Sequence, residues 1–359
     1  MRAVALIVLA LVASSGCRKV KIEVVGSELD GLDNPTDLAF NPEADELWVV
    51  NKDDDSVSIF DAIGTGDQTS THIVDPYALH FMEKVTSIAF GAPGTFATCQ
   101  DGRNSYNQPG PGNDFTGPTL WSSDRDIFGE SNPEAVDYVT DLFGGPADLG
   151  SHLDMLHESP QCMGIAWEEG NAYWVFDGFN DDIVRYDFHE DHGAGYDDHC
   201  DGEIQRWQVG VTRIPDVVSH LAYDASSGLL YVADTGANRI AVLDTTVGSR
   251  GNSLPSVENG GCQATYGVPG PDHYLWEGGE LVDLVTDLAY PAGLALFEGK
   301  LYVTENFSGR VKIFDLEGNE LDVIDTELGE GALAGIEVVS EDEVWLVNGR
   351  DHELLRLEL

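Results

Sequence analysis

Residues 218–244 read VSHLAYDASSGLLYVADTGANRIAVLD, and residues 291–315 read PAGLALFEGKLYVTENFSGRVKIFD. Both follow one grammar: a short apolar strand, a turn, a strand ending on an acidic residue, a Gly/Asn turn, and a third strand ending on Asp. The grammar recurs in NPTDLAFNPEADELWVVNKDDDSVSIFD (34–61), in MGIAWEEGNAYWVFDGFNDDIVRYD (163–187) and in AGIEVVSEDEVWLVNGRDHELLRLE (334–358). A degraded copy begins VTSIAFGAPGTFATCQ at residues 85–100, which makes six units. Short β-branched and aromatic strands between Gly/Asn/Asp turns are all-β signals, and a period of this length marks a repeat architecture.

Each unit also has room for an outer fourth strand, as at 203–211, 280–285 and 320–325. The last unit lacks one, because the chain stops at Leu359. Residues 19–26 can supply it and close the ring with no exposed sheet edge. The expectation is an all-β, six-bladed β-propeller closed by the N-terminal strand pairing with the last blade. The stretch Ala233-Asp234-Thr235-Gly236-Ala237-Asn238-Arg239-Ile240 resembles the signature of NHL repeats, and the resemblance extends over 34–359. It implies the fold. It does not fix a function, because propellers host unrelated chemistries. Two stretches depart from the grammar, at about 102–150 and 247–272. Phe115, Trp121 and Phe128 are expected to anchor the first of them.

The N-terminus sets the expected compartment. Arg2, an apolar run over 3–13 and the small residues Ser14, Ser15 and Gly16 lead to Cys17. That is the layout of a signal peptide (1–16), too short to span a bilayer. It resembles a bacterial lipobox with Ser14 where leucine is usual, which implies a lipid on Cys17, the first residue of a segment, 17–33, that holds the anchor cysteine and the ring-closing strand. The resemblance places the protein in the cell envelope at the outer membrane, otherwise periplasmic or extracellular, touching the membrane through the anchor alone. Without Cys17 four cysteines remain of five, an even number suited to disulfides in an oxidising compartment.

Acidic residues number 64 against 18 basic ones, a net charge of −46. Such a field repels phosphate backbones, which excludes nucleic acid as a partner. No P-loop, HExxH or G-x-S-x-G is present, and no nucleotide cofactor is expected.

In a blade with strands a to d running outward, the d-to-a and b-to-c connections share one face and the a-to-b and c-to-d connections the other. Asp37, Ser87, Gly164, His220, Gly293 and Gly335 then begin strands a on the first face. Asn51, Cys99, Asp177, Asp234, Glu305 and Asn348 end strands b there. His157 falls on the same face beside Cys162, whereas His152, His189, His192, His199 and Cys200 fall on the second. This map pairs Cys99 with Cys162 and Cys200 with Cys262.

Six of the ten histidines lie between 152 and 220, amid Asp and Glu. Imidazole suits zinc or copper and carboxylate oxygen suits calcium, so a divalent metal is expected. The first-face candidates are His157, His220, Asp177 and Asp234; the second-face candidates are His189, His192 and His199. The same residues also read as turn acceptors and as a solvated acidic loop. Two functions stay open. One is a binding platform for a protein, glycan or small-molecule ligand on the first face. The other is a metal-dependent enzyme, lyase or lactonase/hydrolase-like. Peptidyl-hydroxyglycine amidating lyases, a branch of the resemblance, hold zinc through histidines just after the proline that begins strand a. Here those positions are Thr36, Thr86, Met163, Ser219, Ala292 and Ala334, with His220 one residue further on. Lactonase-like propellers hold a cation through channel carboxylates and amides, which Asp37, Asp177, Asp234, Asn51 and Asn348 can imitate.

Overall fold

The computed structural model describes residues 20–103, 114–340 and 343–358; Cys17 and the signal segment lie outside them. β1 (Lys21–Gly26) precedes blade 1, which is β2 (Pro35–Asn41), β3 (Glu46–Asn51), β4 (Ser56–Asp61) and β5 (Thr69–Val74). The short helix α1 (Ala78–Phe81) leads into blade 2, made of β6 (Val85–Phe90), β7 (Thr95–Gln100), β8 (Thr119–Ser122) and β9 (His152–Met155). The helix α2 (Pro133–Phe143) lies between β8 and β9. Blade 3 is β10 (Cys162–Glu169), β11 (Ala172–Asp177), β12 (Asp182–Asp187) and β13 (Glu203–Trp207). Blade 4 starts with β14 (Leu221–Asp224), β15 (Leu229–Asp234) and β16 (Arg239–Asp244). Its chain then leaves to form β17 (Ser249–Ser253), α3 (Asn259–Thr265) and β18 (Asp272–Glu277) before returning as the outer strand β19 (Leu281–Val285). Blade 5 is β20 (Pro291–Phe297), β21 (Lys300–Glu305), β22 (Arg310–Asp315) and β23 (Glu320–Asp325). Blade 6 is β24 (Leu333–Ser340), β25 (Glu343–Asn348) and β26 (Glu353–Glu358), completed by β1 antiparallel to β26.

The protein is therefore a six-bladed β-propeller closed by its N-terminal strand. Its core is divided among the gaps between blades. Trp48 and Ile59 of blade 1 meet Phe96 and Trp121 of blade 2, and Ala97 and Leu120 meet Tyr173 and Val184 of blade 3. Trp174 meets Leu230 and Val232 of blade 4, and Tyr231 meets Leu301 and Val303 of blade 5. Tyr302 meets Leu346 of blade 6, and Trp345 and Val347 meet Leu47 and Phe60 of blade 1. A strand covered on both faces cannot alternate apolar with polar, which is why β3 is the fully buried run ELWVVN. The outer β5, TSTHIV, has exposed residues instead.

The Gly/Asn turn of the repeat has a backbone cause. The residue before strand c is left-handed in five blades: Asp55, Asp181, Asn238, Gly309 and His352, with φ between 56° and 67°. Glycine, asparagine and aspartate tolerate that region best.

Two expectations about the departures from the repeat need correction. The stretch 102–150 contains β8, the third strand of blade 2, with Trp121 buried in it. What interrupts the repeat is the segment on either side of β8, one part of which is α2. That helix is capped by Asn132, has Pro133 at its first position, and stops at the left-handed Gly144. The second stretch does not stay on its own blade: β18 pairs in parallel with β13, which carries the β17–β18 hairpin onto the outer edge of blade 3. Among the described residues no helix is long and apolar enough to cross a membrane.

Candidate functional site

The cysteines meet in the expected pairs, Cys99 with Cys162 and Cys200 with Cys262, at Cα separations of 5.1 and 5.7 Å. Cys99 sits one residue inside β7, opposite Ser87, so Gln100 ends that strand. The first pair ties blade 2 to blade 3. The second ties the β12–β13 connection to α3.

The structure does not bring the four first-face candidates together. Asp177 Oδ1 accepts the backbone N–H groups of Phe179 and Asn180 at 3.1 and 2.9 Å, while its Oδ2 is held by Arg206 at 2.7 Å. Asp234 Oδ1 accepts Thr212 N–H at 2.8 Å and its Oδ2 accepts Arg239 Nε at 2.8 Å. Both are acceptors that shape the turns, already neutralised by arginine. As a donor set for a first-face metal they do not fit. Asn51, Glu305 and Asn348 act alike, accepting the backbone N–H groups of Asp33, Ala289 and Asp351.

His220 lines the axial channel instead. Its Nδ1 is 3.3 Å from Asp37 Oδ1 and its Nε2 is 3.3 Å from Thr86 O. The channel, about 450 Å³, is walled by the strands a of all six blades and reaches Pro42, Gly91, Trp167 and Tyr223 toward the second face. Burial pushes the His220 pKa down to about 4 and that of Glu337 up to about 7. Burial, followed by the charge of Glu337, holds Asp37 well above the usual carboxylate range.

His157 lies elsewhere, in a second cavity of about 380 Å³ at the periphery, beside the outer strands of blades 2 and 3. Segments far apart in sequence build it. The β5–β6 connection brings Tyr77, His80 and Phe81, and the segment before β8 brings Phe115. Phe143 and Leu149 come from the α2 segment, Asp197 and His199 from the β12–β13 connection, and Glu258 and Gly261 from the start of α3. Phe115 stacks on His157 with centroids 3.8 Å apart, and Phe81 stacks on His152 at 3.7 Å. His157 Nε2 faces His80 Nε2 at 3.2 Å, and His157 Nδ1 is in contact with the Glu258 carboxyl. The His199 ring stands 5.6 Å from that of His157 and 5.5 Å from that of His152.

Three imidazoles of this cluster are shifted in different directions. Burial, then the neighbouring His199, holds His157 well below the usual histidine pKa; burial does the same to His152 and raises Glu258. Burial opposes protonation of His199 too. Its hydrogen bond to Asp154 (2.8 Å), with the charges of Asp154, Glu258 and Asp197, outweighs that and lifts its pKa to about 9.

The expected second-face trio is also divided. His199 leaves its own blade to reach Asp154 of β9. His189 stays exposed, 3.7 Å from Asp187. His192 bonds Asp201 through Nε2 at 2.9 Å, and one donor atom each from Asp154, His192 and Asp201 lie within 4.8 Å of one another, a group able to hold a metal ion. His80, Asp154, Asp197 and Glu258 were not singled out from sequence. The signal that could have found two of them was the cysteine pairing itself, since joining Cys200 to Cys262 puts Asp197 and His199 beside Glu258.

No family model matches the chain, and no curated protein matches it in sequence. Its backbone is similar to that of virginiamycin B lyase from Staphylococcus aureus, at 13% identity over 95% of this chain and 100% of that one, with a TM-score of 0.51. It is similar to the PQQ-bound aldose sugar dehydrogenase of Streptomyces coelicolor, at 17% identity, 95% and 98% coverage and a TM-score of 0.52. An auxiliary nutrient binding protein from Bacteroides ovatus matches at 11% identity, 91% and 69% coverage and a TM-score of 0.53. At such identities the likeness is one of fold alone. Solved proteins of this fold include enzymes and a binding protein.

Proposed function

We propose that this chain is an exported binding protein, tethered through Cys17, whose propeller is the rigid frame for a small-molecule site between blades 2 and 3. The observation that carries this reading is convergence. Connections that the repeat does not require meet on one cavity, and Cys200–Cys262 fastens two of them. About 380 Å³ falls within the range of sites that enclose compact ligands. Stacked faces from Phe115 and Phe81, with imidazole and carboxyl groups between them, suit a ring-bearing polar molecule of monosaccharide size. The auxiliary nutrient binding protein among the similar folds is consistent with this class. The anchor would lie four residues ahead of β1, so the membrane would be on the side of blade 6.

A metal-dependent or metal-free enzyme is the second reading, favoured by the His157–Glu258 contact. A carboxyl group that orients an imidazole is what general-base chemistry needs. Screening monosaccharides and their acids against the purified protein by thermal shift and calorimetry tests the first reading. Binding that Phe115→Ala weakens at least tenfold is expected. Ligands that bind the wild type and Phe115→Ala equally would remove the site from this cavity, and turnover abolished by His157→Ala would favour the enzyme.

A further inference from the structure

We infer that Asp154, His192 and Asp201 form a binding site for a single divalent transition-metal ion such as zinc, just behind the histidine cavity and separate from the axial channel. The three side chains come from β9 and from two points on the β12–β13 connection, and their donor atoms already lie within 4.8 Å of one another. Two donors at a zinc–ligand distance of roughly 2.0–2.1 Å are at most about 4.2 Å apart, so the partly exposed His192 and Asp201 need move toward Asp154 by only a fraction of an ångström.

The second observation concerns Asp154 alone. It is wholly buried, and its Oδ1 accepts His199 Nδ1 at 2.8 Å and Met155 N–H at 2.6 Å. Its Oδ2 is equally buried and has no hydrogen-bond partner among the described residues. A buried carboxylate oxygen without a partner is costly, and a cation between it and His192 removes that cost. Two carboxylates and one imidazole give a neutral set with a divalent ion, and the imidazole selects a transition ion over calcium or magnesium. In the metal-free arrangement the His192 Nε2 proton bridges to Asp201 Oδ1 at 2.9 Å. The ion takes the place of that proton. Asp198 Oδ2 stands 4.0 Å from His192 Nδ1 and adds a nearby negative charge without a hydrogen bond.

The test uses the purified, chelator-stripped protein and zinc alone, followed by calorimetry and metal analysis, with cobalt as a spectroscopic substitute. One equivalent is expected to bind, with cobalt absorption bands showing an imidazole–carboxylate site. His192→Ala and Asp201→Asn are expected to abolish both, while His189→Ala changes nothing. His192 and Asp201 are partly exposed, so these variants fold, which circular dichroism checks. No stoichiometric binding, or binding that survives His192→Ala and Asp201→Asn, overturns the site. Sugar binding by the stripped protein is read separately, so the failure of either reading leaves the other standing.

Discussion

The axial channel and the peripheral cavity are of similar size, yet they are made in opposite ways. The channel is walled by the same strand from every blade, so its lining follows from the repeat. The cavity is walled by what the repeat does not contain: a helix in one connection, an aromatic from a second, a cysteine-linked pair of loops from a third and fourth. In the channel Asp37, His220, Glu337 and Tyr223 project from an otherwise apolar and backbone-lined wall. In the cavity three histidines, His80, His157 and His199, and two acids, Asp197 and Glu258, pack against stacked aromatic rings. The difference teaches that a repeat supplies the frame, and that chemistry specific to this chain is concentrated where the repeat is interrupted.

The largest effect should come from the frame itself. Trp174, buried between blades 3 and 4, belongs to the frame that carries both regions, and Trp174→Ala should cost roughly 3–5 kcal/mol in denaturant unfolding. A loss confined to the cavity, with the channel intact, would break the idea of a shared frame.

Separating the two regions needs a change outside the frame. Cys262→Ser should cost about 2–4 kcal/mol and abolish ligand binding in the cavity, while leaving the environment of the channel, read by the titration of Glu337, as it was. Unaltered ligand affinity in that variant would mean that the loops hold the cavity without the covalent tie.

The smallest effect is in the channel and depends on pH. Glu337 in the folded protein titrates near 7, above its value in an unfolded chain. The folded state therefore binds the extra proton, a contribution present in full below about pH 4.5 and lost as pH rises through 7. Glu337→Gln should match the wild type at pH 5 and exceed its stability at pH 8 by about 1–2 kcal/mol, allowing for the partial exposure of the side chain. An unchanged stability slope between pH 5 and 8 would show that Glu337 is not confined as the channel geometry implies.

This contrast also explains what the sequence could reveal. Strands at 218–244 and 291–315 announce themselves, because a residue such as Asn238 must turn left-handed and Tyr231 must fill an inter-blade gap. The outer strands, the ring closure and both cysteine pairings followed from the same grammar. His199 did not. Its connection was assigned to its own blade, whereas 188–202 reaches across to Asp154 on the outer strand of blade 2. The β17–β18 hairpin likewise leaves blade 4 for blade 3. A long interruption is placed by contacts with other interruptions, and periodicity carries no information about those. His157 and His220 begin neighbouring blades in the linear map but face different cavities, because position along a strand says nothing of distance from the axis.

Ring closure has a consequence for the order of assembly. Lys21 of β1 meets Glu358 of β26 across a separation of 337 residues, so the first described strand pairs with the last described one. Blades 1, 2 and 5 are each contiguous and can form as they emerge. Blade 3 is completed only after residues 272–275 arrive from the excursion of blade 4. Until residue 358 is made, β1 and the partner edge are both unpaired, and open edges invite association with other chains. The propeller thus has a single seam, sealed last, and a nascent or truncated chain is most exposed to aggregation there.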